Sequence, residues 1–309
     1  MRLKRRDFLV LGTVSAFGLT LVWKNLLAVV GGKTDAKVAI AEPTLTSQAS
    51  IITAKPPLLR FVSVADTGTG AQGQYAVARA MTGYHRQNPY DIVILAGDNI
   101  YNNGEIEKIN AVFEKPYQDL LKQGVKFYAC LGNHDIRTAN GDPQVNYPGF
   151  NMQGRRYYTF RRDPVQFFAL DTNPNADWEK ELVWLEQELS NSDAPWKVVF
   201  SHYQIYSSGL YGVNQDFVKI FTPLFQKYKV QLYINGHDHN YERTRSINGT
   251  TYMISGGGAG VRQVGRSEWT EYSAGVLSFA AFDVYEDRMV VSGIGTDGRV
   301  FDRGVIQLG

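Results

Sequence analysis

From Leu58 onward, short apolar runs alternate along the chain with longer stretches whose apolar residues recur every three or four positions. The runs "LLRFVSVA" (58–65), "DIVILAG" (91–97), "VKFYACLG" (125–132), "KVVFSH" (197–202) and "VQLYINGH" (230–237) read as buried strands. Nearly continuous apolar runs of this length suit a sheet covered on both faces. Between them, 71–87, 105–123, 177–192 and 216–228 carry the spacing of helices, with a break expected near Pro116. The clearest is "DWEKELVWLEQELSNS", where Asp177 suits the N-cap and Trp178, Leu182, Leu185 and Leu189 form one stripe. After an irregular stretch rich in Gly, Asn and Pro (139–154) come the strand-like "YYTFRR" and "VQFFALDT". The last sixty residues are strand-like throughout: "TYMISGGG", "VLSFAAFDVY", "RMVVSGIG" and "RVFDRGVIQL". Strands alternating with helices and then strands alone predict an α/β domain with a mixed sheet and antiparallel additions.

The first forty residues do not fit this pattern. "MRLKRRDFLVLGTVSAFGLTLVW" has a basic start, the pair Arg5-Arg6, and an apolar run interrupted by Gly12 and Gly18. It resembles a bacterial twin-arginine (Tat) export signal, with Ala39-Ile40-Ala41 as the cleavage site. The alternative is an uncleaved anchor, but the run is short for a stable span. The expected organisation is a signal at 1–41, a polar linker at 42–57 and one domain at 58–309, giving a periplasmic or secreted protein delivered by the Tat machinery with no membrane span after cleavage. Residues 1–41 hold seven of the 32 basic and two of the 30 acidic residues, so the rest of the chain carries a net charge of −3. No clustered basic face remains, which argues against nucleic acid as a partner. "RRYYTFRRD" (155–163) reads as a strand with solvated flanks. The lone Cys130, in a strand-like run, excludes an intramolecular disulfide and is expected to be a buried thiol.

The chemistry lies at the strand exits. "FVSVA" runs into Asp66-Thr67-Gly68, "IVILAG" into Asp98-Asn99-Ile100-Tyr101, "FYACLG" into Asn133-His134-Asp135, "VVFS" into His202, and "LYING" into His237-Asp238-His239. Each alone reads as a turn or a packed residue. Together, at the carboxyl ends of strands where α/β sheets form their ligand crevice, they are a constellation of metal donors. Four of the five histidines fall in it; His85, in a helix, does not. Side chains at i and i+2 share a face, so His237 and His239 converge. Seven oxygen and nitrogen donors without a thiolate suit Fe, Mn, Zn or Mg and exceed what one tetrahedral zinc takes. Two ions about 3.5–4 Å apart, sharing a carboxylate, would use them.

"ADTG", "GDNIY", "GNHD", "VVFSH" and "GHDH", in this order, resemble the calcineurin-like metallophosphoesterases. Tyr101 narrows the resemblance to the purple acid phosphatases, and the compact size with "LAGDNIY", "LGNHD" and "INGHDHN" makes it most similar to those of the small, mammalian type, over roughly residues 58–260. The resemblance implies a four-layer α/β/β/α sandwich with two mixed sheets. It implies Asp66, Asp98, Tyr101 and His239 on Fe(III), Asp98 as the bridge, and Asn133, His202 and His237 on a second divalent ion (Fe, Zn or Mn). Asn133, His134 and His202 would face the substrate, a small phosphate ester, and His134 would protonate the leaving group. The reaction implied is hydrolysis of phosphate monoesters by in-line attack of a metal-bound hydroxide. Asp238 would point away into a turn or supporting role.

Two departures stand out. Ala65 replaces the usual first glycine, and after His202 comes Gln204 instead of proline, with no histidine in "IYSSGLYGVNQD". A second imidazole is therefore missing, and Tyr203, Tyr206 and Tyr211 are candidates to line the substrate mouth. Rival readings are a cyclic-nucleotide type phosphodiesterase, which usually lacks the tyrosine, and a non-catalytic metal- or phosphate-binding protein. Residues 138–155 and the run "SGGGAGVRQVGRSEW" from Ser255 are expected to shape the pocket.

Overall fold

The computed structural model describes residues 55–309. The export-signal reading, and most of the linker, lie outside the described residues.

Thirteen strands form two mixed sheets among the described residues. In the first, β1 (Leu59–Val64), β2 (Ile92–Leu95) and β3 (Lys126–Ala129) run parallel. They are extended antiparallel by β11 (Ser278–Val284), β12 (Arg288–Gly295) and β13 (Val300–Gln307). In the second, β5 (Val165–Ala169), β6 (Trp196–Phe200), β7 (Leu232–Asn235) and β9 (Thr251–Ser255) are parallel. Antiparallel β4 (Tyr158–Arg162) closes one edge, and β8 (Tyr241–Thr244) with β10 (Thr270–Ala274) the other.

The period-two rule sorts the side chains of the second sheet into two cores. Phe167, Val198, Leu232, Ile234 and Met253 join the core shared with the first sheet. Their neighbours Phe168, Val199, Tyr233 and Tyr252 join a second core under the helices α4 (Trp178–Asn191) and α5 (Gln215–Tyr228). Between the sheets Phe61 stacks on Phe282 at 4.5 Å and meets Phe167 edge-on at 5.1 Å. A buried phenylalanine is worth about 2–3 kcal/mol, so this triplet helps hold the layers face to face. On the other face of the first sheet lies α1 (Gln72–Gln87), through Val77, Ala78 and Met81 and a ring contact from Tyr84 to Phe279. The layers are helix, sheet, sheet, helix, as expected.

The helices follow their sequence signals with one exception. Asp177 caps α4, accepting from the Lys180 amide, and the stripe of that helix packs inward. Residues 105–123, expected to be helical with one break, divide into a 3-10 turn (Ile106–Lys108), a π turn (Asn110–Glu114) and the short α2 (Gln118–Lys122). Pro116 has no N–H to give the carbonyl of Val112, and the Gln74 side chain supplies that bond instead. The stretch after β3 holds another short helix, α3 (Asp142–Val145). Strands β8 and β10 carry no alternation and were not expected. No helix among the described residues is long and apolar enough to cross a membrane.

Candidate metal centre

Parallel strands of both sheets deliver their carboxyl ends to one edge, and the sheets are tied together there. The Ala65 amide donates to Ser255 O at 2.9 Å, and Ser63 Oγ lies 3.1 Å from Ser255 Oγ. At this edge Asp66, Asp98 and His237 have left-handed backbones, with φ of 58°, 54° and 67°. Asp and His tolerate this conformation better than most residues, and each bend turns a side chain back over the strand ends. Two glycines make room. Gly97, at φ +86°, passes so close to His202 that an added Cβ would sit 2.5 Å from its ring, and at Gly132 an added Cβ would sit 2.2 Å from Asp98 Oδ1. Ala65 is tolerated because its methyl fills the space that Gly236 leaves open.

The donors fall into two groups. In one, Tyr101 Oη donates to Asp66 Oδ1 at 3.2 Å and lies 3.2 Å from His239 Nε2, which is 3.4 Å from Asp66 Oδ1. In the other, His202 Nε2 lies 3.1 Å from Asn133 Oδ1 and 3.3 Å from His237 Nδ1. Asp98 stands between them: its Oδ1 is 3.5 Å from His202 Nε2. Donor atoms of Asp66, Asp98 and His202 lie within 4.8 Å of one another. All seven expected donors are thus brought together.

The chemistry of the set fits a cation. His202 Nδ1 is 3.0 Å from the Ala96 carbonyl, which can only accept, so Nδ1 carries a proton and Nε2 turns to the centre. There it meets a carboxylate, an amide oxygen and another imidazole nitrogen, all with lone pairs. Burial opposes a charge on His202, but the carboxylates of Asp98 and Asp66 outweigh it and raise its pKa. Burial favours the neutral Asp98 acid, yet His202 and the His134 amide pull its pKa down. Burial, then the neighbouring His202, pushes His237 down to about 3, leaving its Nδ1 open for a ligand. Burial and the carboxylates of Asp66 and Asp98 hold the Tyr101 phenol far above its usual range, so only a strong cation would draw off its proton.

His134 sits at the rim. Its amide donates to Asp98 Oδ1 at 2.9 Å, its ring lies 4.5 Å from that of Tyr101, and Nδ1–H donates to Asn102 O at 2.7 Å. Nε2 lies 3.9 Å from Asp98 Oδ2. Asp238 is fully buried and turned from the donors, accepting from Ser207 Oγ and from the amides of Leu210 and Tyr211. It thereby fixes the loop that stacks Tyr211 on His237, with ring centres 4.1 Å apart. Tyr203 also packs on His237, at 4.4 Å. Tyr206 does not line this mouth; its ring lies against Tyr252 and Trp269. His85 is remote, bonded to Tyr90 O. The glycine-rich run passes beneath the donors, its Arg262 amide donating to His239 O.

Three supporting residues were not assigned from the sequence. Asp135 is buried and accepts from the amides of Asn99, Ile100 and Gly132, locking two donor loops together. The acid at the end of "GNHD" could have signalled it. Arg137 and Arg262, at the rim, carry no motif.

The profile described as calcineurin-like phosphoesterase matches residues 59–241. Purple acid phosphatase 7 of Arabidopsis thaliana is 31% identical over 231 residues, 65% of this chain and 70% of that one. Tartrate-resistant acid phosphatase type 5 of Mus musculus is 28% identical over 243 residues, 67% of this chain and 74% of that one. Among solved structures, "GAP50 the anchor in the inner membrane complex of Plasmodium" superposes with a TM-score of 0.70 at 20% identity, covering 81% of this chain and 89% of that one. That likeness concerns the fold alone, whereas the curated relatives bear on activity. The chain belongs to the calcineurin-like phosphoesterase family, as a metal-dependent phosphatase with purple acid phosphatase homologues.

Proposed function

We propose that this phosphatase is an exported purple acid phosphatase of the small, mammalian type that hydrolyses phosphate monoesters at a two-ion centre. The observation carrying the reading is the pair of donor groups joined by Asp98. Asp66, Tyr101 and His239 would hold Fe(III), Asn133, His202 and His237 a second divalent ion (Fe, Zn or Mn), and Asp98 would bridge. The ions supply charge neutralisation and an activated water when bound.

The chain's own residues do the rest. Asp98 fixes the spacing of the two groups and accepts from the His134 amide, which places that ring beside the incoming phosphoryl group. The Asn102 carbonyl holds the Nδ1 proton of His134 and leaves Nε2 beside Asp98, where a proton on Nε2 can pass to the departing alkoxide. Tyr203 and Tyr211 wall the mouth and keep bulk water off His237.

Metal content is to be measured beside turnover of a monoester and a diester from about pH 4 to about pH 8. The reading expects two ions per chain, one of them iron, and a preference for the monoester in acid. Tyr101→Phe should remove a visible absorption band while leaving two ions bound. A colourless wild-type protein with both positions filled would favour the phosphodiesterase reading. Two ions without turnover of either ester would favour a binding protein.

Export through the Tat route to the periplasm or medium, with a domain from residue 58 and a leader ending at Ala41, is part of the same proposal. Replacing Arg5 and Arg6 by lysine should retain the protein in the cytoplasm, and the mass of the exported form locates the cut.

A further inference from the structure

Arg137 stands at the open side of the centre. It is exposed, its Nη1 donates to Asn102 O at 3.1 Å, and its Nη2 lies 3.3 Å from His134 Nε2. The carbonyl that orients His134 therefore orients the guanidinium as well. The nitrogen Arg137 touches lies 3.9 Å from the Asp98 carboxylate between the donor groups. The other arginine of the rim is committed elsewhere: Arg262 donates to His237 O and lies over the Tyr211 ring. No second histidine follows His202 in the loop that would face the substrate.

We propose that Arg137 is a substrate-binding residue that selects phosphate monoester dianions over diesters, its Nη2–H turning from His134 Nε2 to a non-bridging phosphoryl oxygen. The inference rests on the phosphatase reading above. A guanidinium is a planar fork that takes two oxygens at once. A monoester offers three non-bridging oxygens and two charges, so two oxygens remain for Arg137 after one faces the ions. A diester offers two oxygens and one charge, and its second ester group occupies the place of the third. Binding of the dianion also releases His134 Nε2 from its contact with Arg137, freeing that nitrogen to take up from solvent the proton it passes to the leaving group.

The test uses the metal-loaded full chain with Arg137→Met and Arg137→Lys, an aryl phosphate monoester, the matching bis-aryl diester, and inorganic phosphate as inhibitor. Arg137→Met should lower kcat/KM for the monoester about 10- to 100-fold and weaken inhibition by phosphate to a similar degree. Diester turnover should change by less than about threefold, and metal content should stay constant. Arg137→Lys should recover part of the monoester loss, because it keeps the charge without the fork. Equal losses on both esters, or loss of metal, would make Arg137 a merely structural brace and overturn the proposal. Unchanged monoester kinetics and phosphate inhibition would overturn it too. A wild-type protein that turns over neither ester would instead overturn the phosphatase reading, and this inference with it.

Discussion

Two buried carboxylate sites in this molecule solve the same electrostatic problem differently. Asp302 on β13 is 6% exposed and receives Arg243 Nε at 2.8 Å, Arg243 Nη2 at 2.9 Å and the Tyr241 hydroxyl at 2.7 Å. Its counter-charge comes from the chain itself, carried across on β8. Asp66 and Asp98 are at least as buried, but their neighbours are imidazoles, an amide oxygen and a phenol. None of these is a permanent cation. A buried charge without a partner is costly, so a fold that gathers acceptors in this way has left a place for something positive. The difference separates a structural ion pair from a binding site more sharply than burial or donor count does.

The largest expected effect comes from neutralising, in the second site, the carboxylate proposed as the bridge. Asp98→Asn should lower kcat at least about 100-fold and reduce bound metal. The metal-free protein should melt within a few degrees of metal-free wild type. Retention of two ions at full activity would remove Asp98 from the bridging position. Arg243→Ala is the counterpart. It strands Asp302 and should cost about 3–5 kcal/mol, read by denaturant unfolding, with metal content and kcat/KM unchanged. Arg243→Met with Asp302→Leu should recover most of that loss. Stripping metal by chelation should lower Tm by about 5–10 °C, the size expected for ligand present at a hundredfold over its Kd. Asp98→Asn should show a smaller drop, and the Arg243 variants the same drop as wild type.

The smallest effect concerns a third buried acid. Glu181 on α4 is 2% exposed and accepts from the Asp171 amide at 2.8 Å, with its other oxygen unpartnered. Having neither arginine nor metal donors around it, it keeps a proton; burial pushes it up to about 9 from 4.5. The folded chain then binds one more proton than the unfolded chain between those values. Its contribution to stability is full below about pH 4.5 and is lost as the pH rises towards 9. Glu181→Gln, which mimics the protonated acid, should flatten that slope and raise Tm at pH 8 by about 3 °C or more. An unchanged slope would mean that the side chain is ionised in the fold.

What the sequence revealed follows the same division. The donors were legible because they end strands whose apolar runs are unmistakable, and because Asp, Asn and His at five such exits have no common structural reason to be there. The ion-pair site was not legible. β8 reads "YERT", with polar side chains buried on both faces, Glu242 accepting from Ser208 and Thr270 while Arg243 meets Asp302. Such a strand has no apolar alternation, since its partners lie dozens of residues away. Arg137 was hidden for a related reason, its meaning coming from Asn102, which lies 35 positions earlier. The π turn at Asn110–Glu114 needed Gln74 to take over a carbonyl that Pro116 could not serve. Ala65, a departure in the string of letters, is no departure in space.

The way the donors divide between the sheets has one more consequence. Asp66 and Tyr101 follow strands of the first sheet and His239 one of the second; Asn133 follows the first, His202 and His237 the second. Neither half of the sandwich owns a complete pocket. Contacts between residues so far apart in the chain carry a large loop-closure cost, so an ion is expected to bind after the two sheets have paired, unlike in a zinc finger. It arrives as a rivet through two plates already aligned, and its retention certifies that assembly is finished.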